Sequence, residues 1–289
     1  MVVPFPAGGA PDIVARLLSE DLGQRLGQRV LVENRSGASG NIGALTVAKA
    51  TPDGYTLMLA TPYPIGLNKF MSTDLKFDPE QDFTPIALIG KSPQIFVSGP
   101  SLPVKNLKEV IAYAAAHPGK LNAGIPGIGT TSHIALEYLL NVSGTQVTTV
   151  TYRGSPPPSD IISGQIDIGV GLVTGYVGMV NTGALHALAV TSRQRSEHLP
   201  DTPTAEESGF PDFEATAWYV LVAPAGTPSD IIQKLNVATN DYIRSPKGKS
   251  QFSTIDLQAG GGTADDAKAF VASEMVKWGP LIKKVNIRM

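Results

Sequence analysis

A short apolar run, a glycine-rich loop and an amphipathic helical stretch follow one another repeatedly along this chain, and that alternation restricts the fold more than any other feature. MVVPF leads through PAGGAPD into a helical pattern from Asp12 to Gly27, where Ile13, Val14, Leu17, Leu18, Leu22 and Leu26 recur three and four residues apart. Asp12 lies where an N-cap belongs. VLVEN (30–34) then reads as a buried strand, RSGASG as a loop, NIGALTVAKA as a helix stopped by Pro52, and YTLMLAT (55–61) as a further buried strand. Strands joined through helices run parallel, so this βαβαβ order predicts a parallel sheet.

The alternation resumes over residues 104–200. It gives helices at 106–117, 132–141, 158–163 and 175–181, with strands LNAGI, VTTVTY, IDIGVGLV and LHALAV. Between the two sets, IALIGKSPQIFVSGP (86–100) reads as two extended runs interrupted by Gly90 and Pro93, and ATAWYVLVA (215–223) reads as one long run. Helical patterns at 228–244 and 264–285 close the chain. The expected architecture is α/β with two lobes, 1–99 with 221–289 and 100–220, joined by two extended crossings. Such a pair of lobes encloses a cleft suited to a small ligand and suggests a hinge.

Composition removes several classes of function. With 23 basic and 25 acidic residues the formal charge is −2, which leaves no basic footprint for nucleic acid. The absence of cysteine excludes disulfides, thiolate metal sites, iron–sulfur clusters and a thiol nucleophile. No run approaches the ~18 apolar residues of a membrane span, so the chain is not expected to insert itself in a membrane. Met1 leads straight into VVPFP, without a charged segment or an apolar core before it, so no secretion signal is read within these residues: either none exists or it has been removed.

Catalytic signatures are also missing. His117, His133, His186 and His198 form no ligand pair, and no GxSxG is present. Ser132 and His133 are adjacent, so on a helix they point about 100° apart and form no relay. Asp12 and Asp167 are the acidic residues at loop ends, and neither has an evident partner for acid–base work. An enzyme is not expected, and no cofactor or metal is called for.

Glycine loops remain. In GIPGIGTTS (124–132), Thr130 stands where a phosphate loop carries lysine. What survives is a strand-to-helix loop in which the amide of Gly129 and the hydroxyls of Thr130, Thr131 and Ser132 face an anion without a charged side chain. GASGNIG (37–43) departs from the dinucleotide spacing, with Thr61 where an acidic ribose partner belongs, and reads as a tight turn. PFPAGGAPD places Gly8 and Gly9 before another helix N-terminus. Together the two loops favour a small carboxylate. In YRGSPPP, Tyr152 ends a strand, Gly154 permits close approach, and Arg153 is either an anion partner or solvated. Asp167 is either a turn cap or a cleft residue that selects a cationic or hydroxyl group. Phe5, Tyr63 and Trp218 either stack on a ligand or belong to the core.

PFPAGGAPDIVAR, VENRSGASGNIGA, ATPDGYTL, NAGIPGIGTTSHIALE, TYRG, GQIDIG and LAVTSRQRSEHLPDTPTAEESGFPDFEATAWYVLVAPAGTP occur in this order over nearly the whole chain. In this the chain resembles the Bug family, the extracytoplasmic solute receptors of tripartite tricarboxylate transporters. The resemblance implies a type II periplasmic binding protein fold with mostly parallel sheets, closing on a small organic carboxylate, either a di- or tricarboxylate or an aromatic acid. It implies that loops at 6–12, 60–63, 127–132 and 152–154, Ala7 and Thr61 among them, hold the ligand through amides, hydroxyls and ordered waters. A periplasmic monomer that delivers its ligand to membrane subunits is the expected role; a ligand-sensing module feeding a signalling partner is the alternative. By the same resemblance the chain is expected to start inside the family's first strand; ATPYPIG departs from the small polar residues usual at that loop, so Tyr63 is expected to reshape the ligand's distal end.

Overall fold

The computed structural model describes residues 1–152 and 154–288. The chain divides into two compact units, Met1–Lys91 with Trp218–Asn286, and Ser92–Ala217 with Ile287 and Arg288. The changeovers fall inside two long strands, at Lys91/Ser92 and Ala217/Trp218, where the sequence reading set the limits at 99 and 220, eight and three residues further on.

The first unit is built on a sheet in the order Glu33–Asn34, Val2–Val3, Met58–Ala60, Thr216–Pro224, the first half of Phe83–Ser98, and Gln258–Gly261. Val2–Val3 is parallel to both Glu33–Asn34 and Met58–Ala60, as the βαβαβ order requires. Thr216–Pro224 joins antiparallel, with Met58 opposite Val222. The helix Ala10–Leu26 lays Val14, Ala15, Leu18 and Leu22 on Val3, Leu59, Leu221 and Leu235. Ile13, one residue off that stripe, is 40% exposed, so the buried face is narrower than the spacing implied. Gly27, at φ 66°, ends the helix in the left-handed conformation that a side chain resists.

Several strands differ from their sequence reading. Within VLVEN only Glu33–Asn34 joins the sheet, as an edge strand, and Leu31 is 63% exposed. Of YTLMLAT only Met58–Ala60 is strand, and Tyr55 is 80% exposed. The segment read as two runs is one strand of 16 residues, Phe83–Ser98, unbroken at Gly90 and Pro93. Gly90 lies opposite Ala259, where an added Cβ would stand 2.5 Å from the Gln258 carbonyl oxygen, so this glycine admits a neighbour and does not end a strand. That neighbour, Gln258–Gly261, and the helix Pro246–Thr254 before it have no counterpart in the sequence reading.

In the second unit the sheet order is Thr148–Thr151, Asn122–Ile125, Ile168–Leu172, the second half of Phe83–Ser98, and His186–Val190. The four shorter strands all point one way, and only the long strand opposes them. Ile95, Val97, Ile161, Ile166, Val173, Tyr176 and Val190 form its core. Helix limits follow the sequence reading closely: Leu107–Ala116, Thr131–Ser143, Ser229–Arg244 and Ala264–Lys284. Among the described residues no helix is long and apolar enough to cross a membrane.

Candidate functional site

In the first unit, the loops after Val2–Val3 and Met58–Ala60 leave the same carboxyl edge of the parallel strands, where sheets of this kind hold ligands. Phe5 and Tyr63 meet there edge-to-face, with ring centroids 6.0 Å apart. Asp12, 3% exposed, is not the N-cap; Gly9 is, and Asp12 sits inside the first turn. Its carboxylate accepts from Arg16 Nε, the Gly8 N–H and Asn34 Nδ2, each at 2.9 Å, and Asn34 Nδ2 also donates to the Phe5 carbonyl at 3.1 Å. The Arg16 hydrogen bond above all, helped by Gly8 and Asn34, outweighs burial and holds the Asp12 carboxyl at about 2. Asp12 therefore braces the loop. At φ +81° Gly8 turns its N–H back onto that carboxylate, so this amide, expected at the ligand, is engaged within the chain. Ala7 and Gly9 are exposed beside it.

Thr61 is buried and its Oγ1 has no partner among the described residues. Tyr63 begins a single π-turn, Tyr63–Leu67, which leads into Asn68. Asn68 is fully buried and donates to Ser39 O at 3.1 Å and Asn41 Oδ1 at 2.6 Å, while its own Oδ1 lacks a donor. These bonds hold Gly37, Ala38, Ser39 and Gly40, four successive residues at positive φ, two of them not glycine. The plain turn read from GASGNIG is thus a strained loop pinned by a residue 27 positions on.

In the second unit the loops after Asn122–Ile125 and Thr148–Thr151 again leave one edge of the sheet, and the Gly154 N–H ties them by donating to Pro126 O at 3.1 Å. Thr130 is the N-cap of Thr131–Ser143: its hydroxyl accepts from the His133 N–H at 3.2 Å and donates to Gly127 O at 2.7 Å. The Gly129 N–H donates to His133 Nδ1 at 3.0 Å, which makes that nitrogen an acceptor. Gly129, Thr130 and Gly154, all expected to hold the ligand, use these polar groups to build the loop. Ser132 is buried in the first helical turn, and its hydroxyl donates to Gln94 Oε1 at 2.6 Å. Thr131, half-buried, opens the helix. The Tyr152 hydroxyl donates to Asp160 Oδ2 at 2.8 Å, and burial and then Asp160 push its ionisation up. Arg153 lies outside the described residues.

Two candidates fall elsewhere. Asp167 exchanges bonds with Asn122: Asp167 N–H to Asn122 Oδ1 at 2.9 Å, and Asn122 N–H to Asp167 Oδ2 at 2.8 Å. This pairing locks the amino ends of Asn122–Ile125 and Ile168–Leu172, about 10 Å along the strand from the carboxyl edge. Its carboxylate closes a strand start, the turn-capping alternative of the sequence reading, and stands at the opposite end of these strands from the carboxyl-edge loops. Trp218 is 1% exposed and donates through Nε1 to Glu274 at 3.0 Å, so it belongs to the core. Sequence reasoning missed Gln94 and Asn68, each a polar residue inside a buried run, and that mismatch was the available signal. Among the described residues no cluster of acidic and imidazole groups is able to hold a metal ion. Of two cavities of about 330 and 400 Å³ in the first unit, one is lined by Ile65, Phe83 and Met275 and so touches the turn Tyr63–Leu67, and the other is lined by Leu31, Tyr55 and Leu235; neither is lined by Phe5, Asp12, Thr61 or Tyr63.

Residues 14–287 match the TctC family model, described as the tripartite tricarboxylate transporter family receptor. The chain belongs to this family. It is similar to the protein BugT of Bordetella pertussis, with 32% identity covering 100% of this chain and 89% of BugT. Among solved structures, R. palustris Rpa4515 with adipate gives a TM-score of 0.86 at 32% identity, over 99% of this chain and 97% of its own. The periplasmic binding protein BugD gives 0.83 at 32% identity, over 100% and 97%. MatC from Rhodopseudomonas palustris with bound malate gives 0.81 at 30% identity, over 97% of each chain. The fold is accordingly the α/β fold of the family's periplasmic binding proteins, and the family is one of solute receptors.

Proposed function

We propose that this chain is a periplasmic receptor that captures a small organic carboxylate, with aliphatic dicarboxylates first among the candidates, and delivers it to the membrane subunits of a tripartite tricarboxylate transporter. The observation that carries the reading is the pair of full-length relatives at 32% and 30% identity solved with adipate and malate. The local chemistry accords with it. Each unit presents loops at the carboxyl edge of parallel strands, and each of these edges opens a long helix, Ala10–Leu26 and Thr131–Ser143, whose N-terminus favours an anion. Neutral buried groups, Thr61 and Gln94, supply polarity there without a compensating cation of their own. The proposal includes no bond-making step.

The test is a thermal-shift screen of the purified chain against mono-, di- and tricarboxylates, aromatic acids and acidic amino acids. A ligand present at 100 times its Kd stabilises the folded form by about 2.7 kcal/mol. A selective rise in Tm for one carboxylate class is the expected result, and a folded protein whose Tm moves with none of them overturns the proposal.

A further inference from the structure

Gln94 is 1% exposed, and its Nε2 has no hydrogen-bond partner among the described residues. Everything else about the residue is fixed. Its N–H donates to Thr191 Oγ1 at 2.9 Å, its carbonyl accepts from the Thr191 N–H at 2.9 Å, and Thr191 Oγ1 is anchored in turn on Ala215 O at 2.7 Å. Its side-chain oxygen accepts from Ser132 Oγ at 2.6 Å. Main chain and amide oxygen are thus both pinned, and the amide nitrogen alone is left with two N–H groups and no acceptor. A buried donor in that condition destabilises the folded chain unless something outside the chain accepts from it.

The position says what that acceptor is. Gln94 pairs with Leu172, the last residue of Ile168–Leu172, and so lies at the carboxyl edge shared by Asn122–Ile125 and Thr148–Thr151. Ser132, which holds the amide, stands in the first turn of the 13-residue helix Thr131–Ser143, where the unpaired N–H groups of the helix carry partial positive charge. A buried donor beside that terminus is best matched by an anionic oxygen, because charge-assisted bonds are about twice as strong as neutral ones. The proton of Ser132 is directed at Gln94 and not at a ligand, so the serine acts as the positioning residue and the glutamine as the donor.

We propose that Gln94 is a specificity-determining residue of the second unit, donating from Nε2 to one carboxylate of an aliphatic dicarboxylate. The proposal rests on the receptor reading and deepens it. A carboxylate is accepted there because it offers only lone pairs; a primary amide in the same place turns its own N–H groups toward those of Gln94 or must present its weaker acceptor.

The test compares the wild-type chain with Gln94→Glu and Gln94→Met by titration calorimetry, using adipate, malate and succinate and the half-amide of each, with melting curves of the unliganded proteins alongside. In Gln94→Glu the affinity for the dicarboxylates is expected to fall at least about tenfold, and the half-amides to lose less, so that the dicarboxylate preference shrinks or inverts. Gln94→Met, which removes the donor without adding charge, is expected to narrow the same preference and decides the matter if the glutamate variant does not fold. A residue that merely supports the helix lowers Tm and leaves the preference unchanged; that result overturns the proposal while leaving the receptor reading standing, the amide then being satisfied by a trapped water. A gain in affinity of Gln94→Glu for the half-amides with dicarboxylate binding intact also overturns it. A wild-type chain that binds none of the three dicarboxylates overturns it whatever the broader screen finds.

Discussion

Asp12 governs the opening loop of the first unit through three donors that have no other acceptor of comparable strength at hand. Removing the carboxylate leaves the Gly8 N–H and one of the two Asn34 amide N–H groups partly buried and without an acceptor, the other Asn34 N–H keeping the Phe5 carbonyl; each lost acceptor is worth about 1–3 kcal/mol, while the largely exposed Arg16 returns to water at little cost. Asp12→Ala is therefore expected to lose about 2–4 kcal/mol in urea unfolding, and Asp12→Asn less, since it keeps one acceptor. The acid response follows from the sign of the shift. The folded carboxyl is held at about 2, below its ordinary 3.8, so its stabilisation is complete above pH 4 and is lost as the pH falls toward 2. In Asp12→Asn that part of the acid limb should vanish; an unchanged slope between pH 4 and 2 argues against this brace. The sequence shows an acidic residue at the start of a helix. It does not say whether the side chain caps the helix or reaches back from the first turn to the loop, because both serve the same orphan N–H groups.

At the level of elements, helices and strands were not equally legible. The helix limits at 107–116, 131–143, 229–244 and 264–284 lie within a residue or two of the sequence reading because a helix is set by its own period and caps. Strand extents depend on a partner elsewhere in the chain. Phe83–Ser98 continues through Gly90 because Gln258–Gly261 pairs beside it, and VLVEN shortens because only Val2–Val3 lies alongside. The site divides in the same way. That glycine loops would open helices at the carboxyl edges was visible in the order of strand, loop and helix, whereas Gly8, Gly129 and Gly154 have amides engaged by Asp12, His133 and Pro126, contacts that no spacing announces. Gly90→Val tests the strand. The new side chain meets Gln258 O and Leu257, which have no room to withdraw without breaking the pairing, so a loss of about 2–4 kcal/mol is expected. Hydrogen exchange of Gln258–Gly261 should quicken in step, and a variant as stable and as protected as wild type removes the close-approach account of this glycine.

At the scale of the whole molecule, the pH dependence of stability combines groups of opposite sign, and one of them reports on itself. Glu274, on the helix Ala264–Lys284, accepts from Trp218 Nε1 and Trp278 Nε1, both at 3.0 Å, and these are the chain's two tryptophans. Lys91, stacked over Phe270 at 4.9 Å, and Lys277, over Trp278 at 4.8 Å, are the cations that act on it. Burial outweighs the two indole bonds and the two lysines, so the Glu274 carboxyl is raised above its ordinary 4.5. The folded chain then keeps a proton that the unfolded chain has released, and stability falls as the pH rises from 4.5 through the folded value. Asp12 acts in the opposite sense below pH 4, so between them these groups favour a stability maximum near pH 4–5. Glu274→Gln keeps an acceptor for the indoles and removes the charge. Its Tm should lack the decline expected of wild type above pH 4.5, and its tryptophan emission should lack the titration expected of wild type over the same range. Glu274→Ala, which leaves two buried indole N–H groups without an acceptor, should instead be destabilised at every pH by about 1–3 kcal/mol for each. If Glu274→Gln retains the wild-type decline, the slope belongs to another group and the assignment to Glu274 fails.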